Sequence, residues 1–77
     1  MDKLFAQLAD LLDKDPSDFH LDSTKDDFAE WDSVATINVA VALEEAYEVS
    51  LTAEDVEAMD SVRAIVDILG KYGVEFN

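Results

Sequence analysis

Leu4, Phe5, Leu8, Leu11 and Leu12 recur at the i, i+1, i+4, i+7, i+8 spacing that gathers apolar side chains on one helical face. Pro16 disfavours helical geometry in the residue before it, which predicts an end near Asp15. From there to Trp31 the stretch PSDFHLDSTKDDFAEW has no period. A connection of that length in a compact domain marks function or disorder. Phe19, Leu21, Phe28 and Trp31 punctuate it, so the expectation is a loop pinned to the core. Periodicity resumes over a second helix from Ser33 to Tyr47, with Asp32 placed to cap it. Thr52-Ala53-Glu54-Asp55 is a weak variant of the capping box and predicts a short third helix over roughly Ala53 to Ala58. A fourth helix follows Asp60-Ser61, with Val62, Ile65, Val66 and Leu69 on one stripe and Gly70 and Gly73 able to end it. There is no repeat or linker, and β alternation goes no further than a short extended end at Val74-Glu75-Phe76. The predicted fold is all-α: a small four-helix bundle with a short third helix and a long loop between the first and second helices. One domain spans residues 1–77.

The second helix carries a pattern that a simple core face does not explain. At 100° per residue, Ala35, Val39, Ala42, Leu43 and Ala46 cluster as the core side, with Tyr47 at the margin. Asn38, Glu44, Glu45 and Glu48 lie opposite. Val34, Ile37 and Val41 sit in the middle of that polar side. An apolar centre ringed by carboxylates has the composition of a contact site. Packing under the long loop, or a homodimer, would use the same stripe, and the wheel alone leaves these open.

Charge narrows the partners. Nineteen acids against five Lys and Arg give a net charge of −14 on 77 residues. That balance repels nucleic-acid phosphates and anionic membranes, and it favours partners with basic patches. The 49% hydrophobic content argues for a folded domain all the same, although a chain this short hides only about 60% of its unfolded surface. There is no cysteine, so neither a disulfide framework nor thiolate chemistry is expected. The N-terminal MDKLFAQLADLLDKD carries acids through its apolar stretch, unlike a signal peptide or membrane span, and the reading is a cytoplasmic monomer. Asp13, Asp15 and Ser17 start well as a calcium loop. However, Asp18 stands where Gly is needed and Thr24 where a bidentate Glu is needed, so no metal site is expected. Without a Gly-x-Ser-x-Gly elbow and with a single His, His20, a hydrolase is not expected and no catalytic residue is assigned.

The tripeptide Asp-Ser-Val occurs at Asp32-Ser33-Val34 and again at Asp60-Ser61-Val62. Ser61 leads straight into core periodicity, and capping accounts for it. Ser33 follows the long acidic loop, starts the helix with the anomalous face, and has Asp32 beside it to do the capping. Its hydroxyl should therefore be exposed in the first helical turn, at the positive end of the helix dipole, where an anionic ester is tolerated.

With Asp32-Ser33-Val34, then Ala42-Leu43-Glu44-Glu45, then Ser61-Val62 at matching spacing, the chain resembles the acyl carrier protein family. The likeness is closest from Trp31 to Leu69 and extends loosely over the first helix and long loop. It implies that Ser33 receives 4′-phosphopantetheine from coenzyme A as a phosphodiester, installed by a separate phosphopantetheinyl transferase, and that the arm's thiol carries acyl groups as thioesters. It implies that Asp32 neighbours the site and helps to hold magnesium in the transferase complex. Val34, Ile37, Val41, Glu44 and Glu45 then map onto the helix that acyl-loading and synthase enzymes grip with basic docking patches. Val39, Leu43, Met59, Ile65 and Leu69 would line an acyl-chain cavity. Against the family's housekeeping members, Val34 replaces Leu, Ala35 and Asn38 stand where acids are common, and Trp31 precedes the motif. The Trp-Asp-Ser form looks like discrete carriers of polyketide-type or other specialised pathways rather than the central fatty-acid carrier. Two other readings use the same features: an acidic interaction adaptor with no prosthetic group, and an aminoacyl or peptidyl carrier.

Overall fold

The computed structural model describes residues 2–75. Four helices form in order: α1 (Asp2–Leu12), α2 (Ser33–Tyr47), α3 (Ala53–Glu57) and α4 (Val62–Lys71). Two single 3-10 turns, Pro16–Asp18 and Lys25–Asp27, lie in the connection between α1 and α2. The fold is the all-α arrangement expected, with a short third helix and a long first loop. Val74 and Glu75 carry no regular structure, and Phe76 lies outside the described residues.

Side chains cap three of the helix starts. The Asp32 carboxylate accepts the Ala35 N–H at 2.8 Å, and the Ser61 hydroxyl accepts the Ala64 N–H at 3.0 Å. The Thr52 hydroxyl takes the Asp55 N–H at 3.1 Å while the Asp55 carboxylate takes the Thr52 N–H at 3.1 Å, a reciprocal capping box. The ends differ from expectation in two places. α1 stops at Leu12, not Asp15, because Asp13 turns left-handed (φ 57°) and the Lys14 N–H closes on the Ala9 carbonyl at 2.8 Å. Asp is among the few side chains that tolerate this conformation, so Pro16 is not what stops the helix. In α4, Gly70 is helical and Gly73 (φ 90°) makes the turn; the Val74 N–H reaches back to the Leu69 carbonyl at 3.1 Å.

The core joins α1 through Leu4, Leu8 and Leu12 to Val39 and Leu43 of α2 and to Val62, Ile65 and Leu69 of α4. Burying each such side chain contributes about 1.5–3 kcal/mol. The buried stripe of α2 is Thr36, Val39, Ala40 and Leu43. Ala35, Ala42 and Ala46, expected on the core face, are only half-buried, so the helix is rolled toward Thr36 and Ala40. Trp31 explains the roll. Its ring is buried, and its indole N–H donates to the Thr36 hydroxyl at 3.1 Å, which in turn donates to the Asp32 carbonyl at 2.9 Å. A polar residue can be buried there because every polar group has a partner.

The long loop is pinned. Phe19 stacks on Phe28 with ring centroids 4.7 Å apart, and Phe28 leans on Trp31 at 6.4 Å. An isolated antiparallel bridge pairs Thr24 with Ser61: the Lys25 N–H donates to the Asp60 carbonyl and the Val62 N–H to the Ser23 carbonyl, each at 2.9 Å.

α3 is fastened to the far end of α4 by the buried Asp55. Its carboxylate accepts from Lys71 Nζ at 2.6 Å, from the Tyr72 hydroxyl and from the Thr52 N–H. The Lys71 contact first, then the other two donors, hold this carboxyl well below the usual carboxylate range. The associated stability is present above the ordinary carboxylate pKa of 3.8 and is lost as falling pH protonates the group.

Candidate functional site

Ser33 is the first residue of α2 and is exposed. The preceding residue caps the helix through its side chain, so the Ser33 hydroxyl is not drawn into the backbone. It has no hydrogen-bond partner among the described residues. A primary hydroxyl left free on a helical turn is chemically available, and among the described residues no base is hydrogen-bonded to it.

Beside this hydroxyl lies an open groove of about 710 Å³ between α2 and the segment 51–59. Ile37, Ala40 and Val41 form the α2 wall, and Leu51, Val56 and Met59 the opposite one. Its polar lining residues are Lys25, Ser33, Thr36, Glu44, Thr52 and Glu57. Glu44 does not face solvent freely as the wheel suggests: its carboxylate accepts the Leu51 N–H at 3.0 Å and ties the α2–α3 connection to α2. An elongated molecule fixed at Ser33 could lie along this trough with apolar contacts on both sides.

Val34, Ile37 and Val41 are exposed at 67%, 55% and 50% respectively. They run down α2 from the serine. Asn38 and Glu45 are exposed nearby. The structure therefore brings Asp32, Ser33, Val34, Ile37, Val41 and Glu44 onto one side of the molecule. The residues expected around an acyl cavity are placed otherwise. Val39, Leu43, Ile65 and Leu69 are sealed in the core, and of that set only Met59 lines the groove. Ala40, Leu51 and Val56, which do line it, had no mark in the sequence beyond ordinary apolar periodicity. Trp31, first of interest as the residue before the motif, is the core anchor that fixes how α2 starts.

Among the described residues no group of three or more His, Cys, Asp or Glu is arranged to hold a metal ion. No described helix is long and apolar enough to cross a membrane. A family model described as "Phosphopantetheine attachment site" matches residues 2–69. No curated protein matches the chain.

Proposed function

Because this chain belongs to the phosphopantetheine-attachment family, a family of non-catalytic carriers that phosphopantetheinyl transferases modify, we propose that Ser33 is the attachment residue and that the cargo is an acyl group. The single observation that supports the first part is the unpartnered, exposed Ser33 hydroxyl at the mouth of the groove. Its oxygen forms the bond to phosphorus and loses its proton, and the bond to the nucleotide half of coenzyme A breaks. The group supplies a flexible arm with a terminal thiol, on which a carrier without cysteine depends for thioester chemistry.

The chain's own residues do three things in this reading. Asp32 holds the first turn of α2, so Ser33 is presented without spending its hydroxyl on the backbone. Val34, Ile37 and Val41 give a partner enzyme a small apolar centre, and Glu44 and Glu45 give orientation to basic residues around it. The net charge of −14 steers such partners over longer range at low salt. Ala35 and Asn38 leave two positions of α2 uncharged, which weakens docking to enzymes built for a more acidic helix by a few tenths to about 1 kcal/mol for each missing charge. That favours a carrier with dedicated acyl-loading and synthase enzymes, its carrier domain spanning residues 1–77. The Ala42-Leu43-Glu44-Glu45 run and the acidity favour acyl over aminoacyl or peptidyl cargo.

Intact mass after incubation with coenzyme A and a phosphopantetheinyl transferase tests the reading. One 4′-phosphopantetheine per chain is expected, followed by a second mass step when acyl-loading enzymes are added. An unmodified mass would leave an adaptor that uses the same face without an arm. Loading by aminoacyl-activating enzymes alone would move the cargo to the aminoacyl class.

A further inference from the structure

We propose that Lys25 is the electrostatic partner of a phosphodiester on Ser33, holding the base of the arm against the groove. This rests on Ser33 being the attachment residue. The chain has five Lys and Arg side chains. Lys14 pairs with Glu30 at 3.0 Å, Arg63 with Asp22 at 2.9 Å and Lys71 with Asp55 at 2.6 Å. Lys3 lies over the Tyr47 ring, 4.9 Å from its centroid. Among the described residues Lys25 is the cation left without a side-chain partner, in a chain that carries nineteen acids. It is also the one cation on the wall of the groove that Ser33 opens.

The loop holds Lys25 there by its backbone. Its N–H donates to the Asp60 carbonyl at 2.9 Å and its carbonyl accepts from Phe28 at 3.3 Å. Nothing in that anchoring uses the ammonium. The other polar side chains along the trough offer an anion little: the Thr36 hydroxyl donates to a backbone carbonyl, the Thr52 hydroxyl caps α3, and Glu44 and Glu57 carry negative charge. A phosphodiester adds one more negative charge to a chain already at −14. One unpaired ammonium in the same groove offsets that addition locally, with a range set by screening. The arm's root is then biased toward the groove, and its outer part follows the apolar wall of Ile37, Val41, Leu51 and Val56.

The test compares apo and holo protein, so that each variant is its own reference. Holo protein is made with a transferase and coenzyme A, and intact mass checks for one adduct that Ser33→Ala loses. Urea unfolding is then measured for both forms of wild type, Lys25→Met, Lys25→Arg and Lys3→Met, at about 20 mM and about 500 mM salt. At low salt, loading should shift the folding equilibrium of Lys25→Met unfavourably, roughly two- to fivefold relative to the same step in wild type. Lys25→Arg and Lys3→Met should follow wild type, and the gap should close at high salt. With the adduct confirmed on Ser33, an equal apo-to-holo shift in wild type and Lys25→Met overturns the inference. So does an equal effect from Lys3→Met, which would mean net charge alone is felt. Failure of Ser33 to take the adduct removes the attachment reading itself, and this inference with it.

Discussion

At Asp32-Ser33-Val34 and at Asp60-Ser61-Val62 the same three residues begin a helix, yet the helices start one residue apart. At α2 the aspartate is the cap, so the serine falls inside the first turn with its hydroxyl unpartnered and the valine 67% exposed. At α4 the serine is the cap, its hydroxyl is taken by the Ala64 N–H, and the valine is fully buried. The cause is tertiary. Residues 23–25 of the long loop hydrogen-bond across to Asp60 and Val62 and hold Ser61 in an extended conformation (φ −156°), which makes it the last residue before the helix. At α2 no strand-like pairing exists; Trp31 is buried just before the motif and Thr36 bonds back to the Asp32 carbonyl, so extended geometry falls on Asp32 instead. One residue of register separates a structural hydroxyl from a chemically available one.

Breaking the buried start should cost most. Val62→Ala is expected to destabilise the fold by about 2 kcal/mol, and Val34→Ala by less than about 0.5 kcal/mol, in urea unfolding followed by helical circular dichroism. Next comes docking on the open side. Ile37→Asp should leave the unfolding midpoint nearly unchanged, yet lower the transferase kcat/KM by near tenfold, about 1.4 kcal/mol. Equal losses of stability and of kcat/KM would mean that the exposed stripe is part of the fold. The caps follow at about 1 kcal/mol each: Asp32→Ala and Ser61→Ala both lose an acceptor that a helical N–H needs. Smallest is Ser33→Ala, within about 0.5 kcal/mol of wild type, because among the described residues nothing bonds to this hydroxyl. A Ser33→Ala cost as large as that of Ser61→Ala would erase the distinction between the two sites.

Most of what makes this comparison was legible along the chain. Caps are local chemistry, so Asp32, Thr52 and Ser61 could be placed from residue type and spacing, and the α2 limits follow from them. What depends on distant residues was not legible. Thr36 is polar by type, and its burial rests on the Trp31 indole and the Asp32 carbonyl together satisfying its hydroxyl, with α2 rolled toward Ala40. The end of α1 depends on the left-handed backbone at Asp13, which no spacing announces. The groove lies between α2 and the 51–59 segment, so its walls, Ala40, Leu51 and Val56, come from separate parts of the chain and share no single helical stripe, while Val39, Leu43, Ile65 and Leu69 are buried in the core. Lys25 was invisible for the same reason: an ordinary loop lysine acquires meaning only when every other cation is seen to be engaged.

The most direct measurement is the intact mass of Ser33→Ala and Ser61→Ala, each treated with coenzyme A and a transferase alongside wild type. One 4′-phosphopantetheine is expected on wild type and on Ser61→Ala and none on Ser33→Ala, with all three proteins folded by circular dichroism. An adduct retained by folded Ser33→Ala, or lost from folded Ser61→Ala, would contradict that expectation.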